Sequence, residues 1–105
     1  MSYTRTDYRD VDPVGGGLRL LRDALDCTEL GVSVLDVEAG WSGKAHDHGD
    51  DGQEEVYVLL EGAATVTVGD ETVALDAGDA LRVDPGVTRR VDATDDCLFV
   101  IAGAP

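Results

Sequence analysis

From Leu30 onward the chain is a succession of short, β-branched segments cut apart by turn residues, and this punctuation restricts the fold more than any other feature. The segments are LGVSVLDVE, EEVYVLLE, AATVTVG, ETVAL, ALRV, VTRRV and CLFVIAG. Between them stand EAG, EGA, GDE, DAGD and DPG. Glycine supplies positive φ and aspartate bonds its own backbone, so each cluster reverses the chain. Within 66–75 the Gly69-Asp70 step separates two alternating runs and reads as a tight hairpin. Many short, evenly spaced strands point to an all-β antiparallel sandwich or barrel. Fourteen valines and eleven leucines, against one Trp and one Phe, make the core aliphatic. Valine suits strands because its branched Cβ packs well on a pleated surface.

The segment before Leu30 reads differently. The first dozen residues are polar and form an extended arm, and Gly15-Gly16-Gly17 is a flexible break. Leu18, Leu21 and Leu25 then recur at helical spacing, which predicts a short helix over 18–26. The expected organisation is an arm and short helix over 1–29 and a barrel over 30–105, in one domain. A thin core in 105 residues gains stability from a second copy, so a homodimer is expected.

Charge narrows the partners. Twenty-two acidic residues face eight basic ones, a formal net charge of -14. The acids are scattered between apolar residues rather than gathered in a tail, which describes an acidic skin on a folded domain. This composition is halophile-like, with self-repulsion that salt would screen. There is no basic patch for nucleic acid, and an anionic membrane surface is disfavoured for the same reason. No stretch has the length of a membrane span, and MSYTRTDYRDVD lacks the apolar run of a signal peptide, so a cytoplasmic protein is expected. Cys27 and Cys97 read as small hydrophobes in a reducing compartment rather than as a disulfide.

The chemistry concentrates at one place. His46 and His48 are the only histidines, two residues apart. On a strand such residues share a face. The loop GDDGQ then reverses the chain and EEVYVLLEG returns, which brings a carboxylate opposite the imidazoles. Two neutral imidazoles and a carboxylate hold Fe, Mn, Ni or Zn while leaving positions open. The bland alternative is a pair of surface histidines in an acidic loop, with Glu55 a solvated edge charge. Asp47, Asp50 and Asp51 lack the spacing of a calcium loop.

These residues resemble the first motif of the cupin family, G-x5-H-x-H-x3-4-E-x6-G. Gly40, His46, His48, Glu55 and Gly62 stand at its positions, except that six residues rather than three or four separate His48 from Glu55. Glu54 is the rival ligand, but Glu55 keeps the family spacing to Gly62. The second motif, G-x5-P-x-G-x2-H-x3-N, is eroded. Gly78 and Gly86 are present, Asp84 stands at the proline position, Arg89 at the histidine and Ala93 at the asparagine. The resemblance spans about 30 to 103 and implies a double-stranded antiparallel β-helix, the jelly-roll or cupin barrel. It implies a metal site of His46, His48 and Glu55 with the fourth ligand missing, since guanidinium has no lone pair to offer.

Arg89 opens a second reading. Turned inward, it would repel a divalent ion and favour an anion, giving a metal-free small-molecule or sensor site. Turned outward, it would leave Arg90 facing in. Tyr57, two residues beyond Glu55, and Trp41 are candidate ligand-binding residues, with ordinary packing as the alternative. The metal-dependent reading covers the dioxygenase and isomerase chemistry that the cupin resemblance implies. A structural dimer with a vestigial pocket is the third possibility.

Overall fold

The computed structural model describes residues 2–105. Eight strands carry the fold: β1 (Leu18–Leu20), β2 (Gly31–Val37), β3 (Glu54–Glu61), β4 (Ala63–Val68), β5 (Glu71–Asp76), β6 (Ala80–Val83), β7 (Arg89–Ala93) and β8 (Cys97–Ala104). They form a five-stranded sheet in the order β1-β2-β8-β3-β6 and a three-stranded sheet in the order β5-β4-β7, with every pairing antiparallel. This is the two-sheet, nearly all-β architecture expected of a jelly roll.

The strands form where β-branched and apolar residues cluster between turn residues, and burial then alternates along each. In β3, Glu55, Tyr57 and Leu59 point inward, and in β8 Cys97, Phe99, Ile101 and Gly103 do so. Leu35, Tyr57, Leu59, Val66, Val83 and Phe99 meet between the sheets as the aliphatic and aromatic core. The β4–β5 hairpin closes through Gly69-Asp70, with Val68 paired to Glu71 and Gly69 at φ +59°. Gly62, between β3 and β4, sits at φ +90° against the Asp96 carbonyl, where a Cβ would collide with backbone. Only glycine fits there.

The expected helix over 18–26 does not form. Leu18–Leu20 is instead a strand that pairs along β2, Leu18 opposite Leu35 and Leu20 opposite Ser33. The chain then turns through 22–26, where one helix-like bond joins Leu25 N–H to the Leu21 carbonyl and Asp26 stands at φ +56°. Pairing with the otherwise open edge of β2 outweighs a local spacing that suits a helix. The helical content of the N-terminal segment is a 3-10 turn over Tyr8–Asp10, with Asp7 as its N-cap. The guanidinium and backbone N–H of Arg9 hold the Asp7 carboxyl down at about 2. Among the described residues no helix is long and apolar enough to cross a membrane.

Candidate metal centre

His46 and His48 lie on the long connection between β2 and β3. This connection is not a continuous strand. It runs beside β7 and touches it at isolated bridges, Ser42 with Asp92 and His46 with Arg89. His46 and Arg89 exchange both backbone hydrogen bonds, at 3.0 and 2.8 Å, and His48 N–H donates to the Pro85 carbonyl at 2.7 Å. These bonds hold the i, i+2 geometry, so both rings project into the same space, 5.3 Å apart and edge to face.

Glu55 arrives from the start of β3, nine-tenths buried. Its Oε1 lies 3.6 Å from His46 Nε2, and its Oε2 lies 3.3 Å from His48 Nε2. One ligand atom from each of the three residues falls within 4.8 Å of the others. Two donors bonded to one ion at about 2.1 Å stand about 3.0–3.4 Å apart, so the two histidine–Glu55 separations suit a shared ion, around which the widest pair of ligand atoms would draw together. Glu54, the rival, faces outward and pairs with Arg82 at 3.3 Å.

The far nitrogen of each ring is also occupied. His46 Nδ1 faces the Lys44 carbonyl at 3.2 Å and His48 Nδ1 faces Asp51 Oδ2 at 3.1 Å. A proton on each Nδ1 satisfies both contacts and leaves the Nε2 lone pairs toward Glu55, the tautomer a metal requires. Gln53 N–H and then His48 hold the Asp51 carboxyl below the usual range. The donor set, the spacing and the outer hydrogen bonds therefore fit a divalent ion.

The remaining sequence-predicted residues separate. Tyr57, 2 % exposed, donates its hydroxyl to Glu55 Oε1 at 2.8 Å. Burial, then the adjacent carboxylate, pushes its ionisation well above the usual phenol range, so it stays a donor. Trp41 lines the cavity, and its Nε1 donates to the Gly15 carbonyl at 2.9 Å. Phe99 lies in the core. Arg89 turns inward and Arg90 outward, the latter pairing with Asp92. Arg89 is 0 % exposed and packs behind Glu55, Nη1 to Oε1 at 3.6 Å. Its Nη2 donates to the Asp84 carbonyl at 2.7 Å, while Nε and Nη1 have no hydrogen-bond partner. It is not among the residues that line the cavity.

The three candidate ligands sit in the wall of a cavity of about 790 Å³ between the sheets. Sequence reasoning did not find Asp51 as the partner of His48, although an acid three residues after a histidine was the available signal. It also did not find that Leu18 and Leu20 line this cavity, because the helical reading obscured their shared face.

The family model described as Cupin domain (Cupin_2) matches residues 33–103. Among solved structures, a cupin protein from Bacteroides fragilis is 28 % identical over 95 % of this chain and 86 % of its own, with a TM-score of 0.75. KdgF from Halomonas sp. is 22 % identical over 95 % of this chain and 86 % of its own, with a TM-score of 0.72. The Mn(II)-containing oxalate decarboxylase of Bacillus subtilis aligns with a TM-score of 0.82 at 19 % identity, and the match spans 99 % of this chain but 30 % of the decarboxylase. No curated protein matches the sequence.

Proposed function

This chain belongs to the cupin domain family, and from that premise we propose that it binds one divalent transition metal through His46, His48 and Glu55 and presents it to a small molecule in the barrel cavity. The observation that carries the reading is convergence. Donors from two separate segments meet within 4.8 Å, and the outer nitrogen of each ring faces an oxygen that can hold its proton, which would leave Nε2 free to ligate. Fe, Mn, Ni and Zn all accept such a set, and the Mn(II) centres of the decarboxylase make Mn the first ion to test.

Such an ion supplies Lewis acidity and open positions for water and substrate. The chain's own residues do the rest. Tyr57 fixes the orientation of Glu55, Arg89 balances its charge from behind, and the β2–β3 connection aims the imidazoles. A metal-free anion site built directly on Arg89 is disfavoured, because the guanidinium has no surface in the cavity and faces a carboxylate.

Elemental analysis of tag-free protein, before and after reconstitution with each of the four ions, tests the reading. About one ion per chain is expected, with loss of binding in the His46→Ala/His48→Ala double variant. Occupancy far below one per chain that reconstitution does not raise would overturn it.

A further inference from the structure

The cavity has a wall that the family match does not include. Gly15, Leu18, Leu20, Arg22 and Asp23 all line it, and all precede residue 33, where the match begins. Strand alternation puts Leu18 and Leu20 on one face, while Arg19 on the other face donates to the carbonyls of Arg9 and Val11 at 3.0 and 2.8 Å. The segment is anchored in place. Asp36 N–H donates to the Gly17 carbonyl at 3.0 Å, and Leu21 N–H to the Val32 carbonyl at 2.8 Å. Leu20 nonetheless remains 51 % exposed while facing the cavity. An apolar side chain held toward an open cavity offers surface for another apolar body to cover.

The polar groups of the wall are mostly spent within the protein. Tyr57 donates to Glu55, Trp41 to Gly15, Ser42 to Asp92 and Gln53 to the Pro105 carbonyl. A polyhydroxylated ligand would leave hydroxyls without partners against such a wall. The charges balance locally although the chain carries -14. Asp23, Asp51 and Glu55 on the lining are matched by Arg22, Lys44 and, behind Glu55, Arg89. A divalent ion at the histidines then makes that end of the cavity cationic, which favours an anionic head group.

We propose that the cavity receives a small organic acid with an apolar body, its carboxylate toward the His46–His48–Glu55 end and its hydrocarbon against Leu18, Leu20, Leu35, Trp41 and Ile101. The proposal rests on the metal-site reading for its head group and on the N-terminal wall for its body.

Calorimetric titration of the full chain, loaded with the ion it retains and separately after chelation, separates the two. The probes are butyrate, hexanoate and octanoate, with gluconate and hexan-1-ol as controls. Affinity should rise about fourfold per added methylene. Hexanoate should bind at least about tenfold tighter than either control to the loaded protein. Leu20→Ser should reduce the gain per methylene and leave metal stoichiometry unchanged, because Leu20 is half exposed and remote in sequence from the ligands. A flat alkanoate series, or gluconate binding as tightly as hexanoate, on a chain that holds its ion overturns the ligand class and leaves the metal reading standing. A chain that retains no ion yet keeps the alkanoate gradient refutes the metal reading and supports the apolar-acid class. Binding of neither ion nor acid overturns both.

Discussion

Arg89 and Glu55 form a buried ion pair whose energy can be measured. The guanidinium is 0 % exposed, and the Glu55 side chain, 11 % exposed, lies 3.6 Å away. At an effective dielectric of about 20, two unit charges at that separation attract by about 4.6 kcal/mol before desolvation. Arg89→Met removes the cation and leaves a carboxylate in the core with only imidazoles and a phenol beside it. Breaking a buried pair in this way costs about 3–5 kcal/mol. In a domain of this size about 3 kcal/mol lowers the melting temperature by about 12–24 °C. Arg89 also donates to the Asp84 carbonyl, so the single variant overstates the pair. A double-mutant cycle with Glu55→Gln removes that bond from the difference. Urea denaturation in chelator and low salt should give a coupling of about 2–3 kcal/mol. A coupling below about 0.5 kcal/mol would refute the counter-ion role. A divalent ion supplies the charge that Arg89→Met lacks, so Mn(II) should raise the melting point of the variant more than that of the parent chain. A smaller rise would contradict the same reasoning.

Three further outcomes are expected. Asp51→Ala frees the outer nitrogen of His48 and should weaken metal binding about tenfold in competition with a chelator; unchanged affinity would count against His48 Nε2 as a donor. With a net charge of -14, the melting temperature should climb between dilute buffer and molar KCl, as the screening length falls from about 10 Å at 0.1 M to about 3 Å at 1 M; equal melting temperatures would remove self-repulsion as a factor. Burial raises the Cys97 thiol above its usual range and hides its sulfur, whereas Cys27 is only half-buried. An aromatic disulfide reagent at pH 8 should therefore label Cys27 first and Cys97 only as the chain unfolds, and equal labelling rates would show that the Cys97 site opens freely.

The barrel strands were legible because each is a short β-branched or apolar run bounded by turn residues. In β2, β3 and β8 valine, leucine, isoleucine and aromatic residues crowd into runs of seven or eight, and turn clusters mark their ends. Residues 18–26 were not, because two periods coexist there. Leu18, Leu21 and Leu25 satisfy a helix, while Leu18 and Leu20 satisfy a strand. Which one forms depends on the open edge of β2, a partner more than ten residues away. No local pattern carries that information.

At the site, strand parity settles more than motif spacing does. Glu55 rather than Glu54 faces inward because Tyr57 and Leu59 share its parity and fill the core. Arg89 is decided in the same way. In β7 the inward positions are Arg89, Val91 and Ala93, and Val91 pairs with the buried Val66 of β4. Turning Arg89 outward would expose both apolar residues and bring Arg90 and Asp92 into the core. The misplaced Pro85 left that register open in the sequence, since β7 begins only after the turn. Once the register is set, an inward guanidinium needs a carboxylate, and Glu55 is the one within reach. Glu55 therefore answers to two cations, the arginine behind it and an ion held with the imidazoles. Because part of its charge is already balanced by Arg89, the ion gains less from Glu55 than from an unpaired carboxylate. Metal affinity at this centre should accordingly rise in Arg89→Met even as the chelated fold weakens.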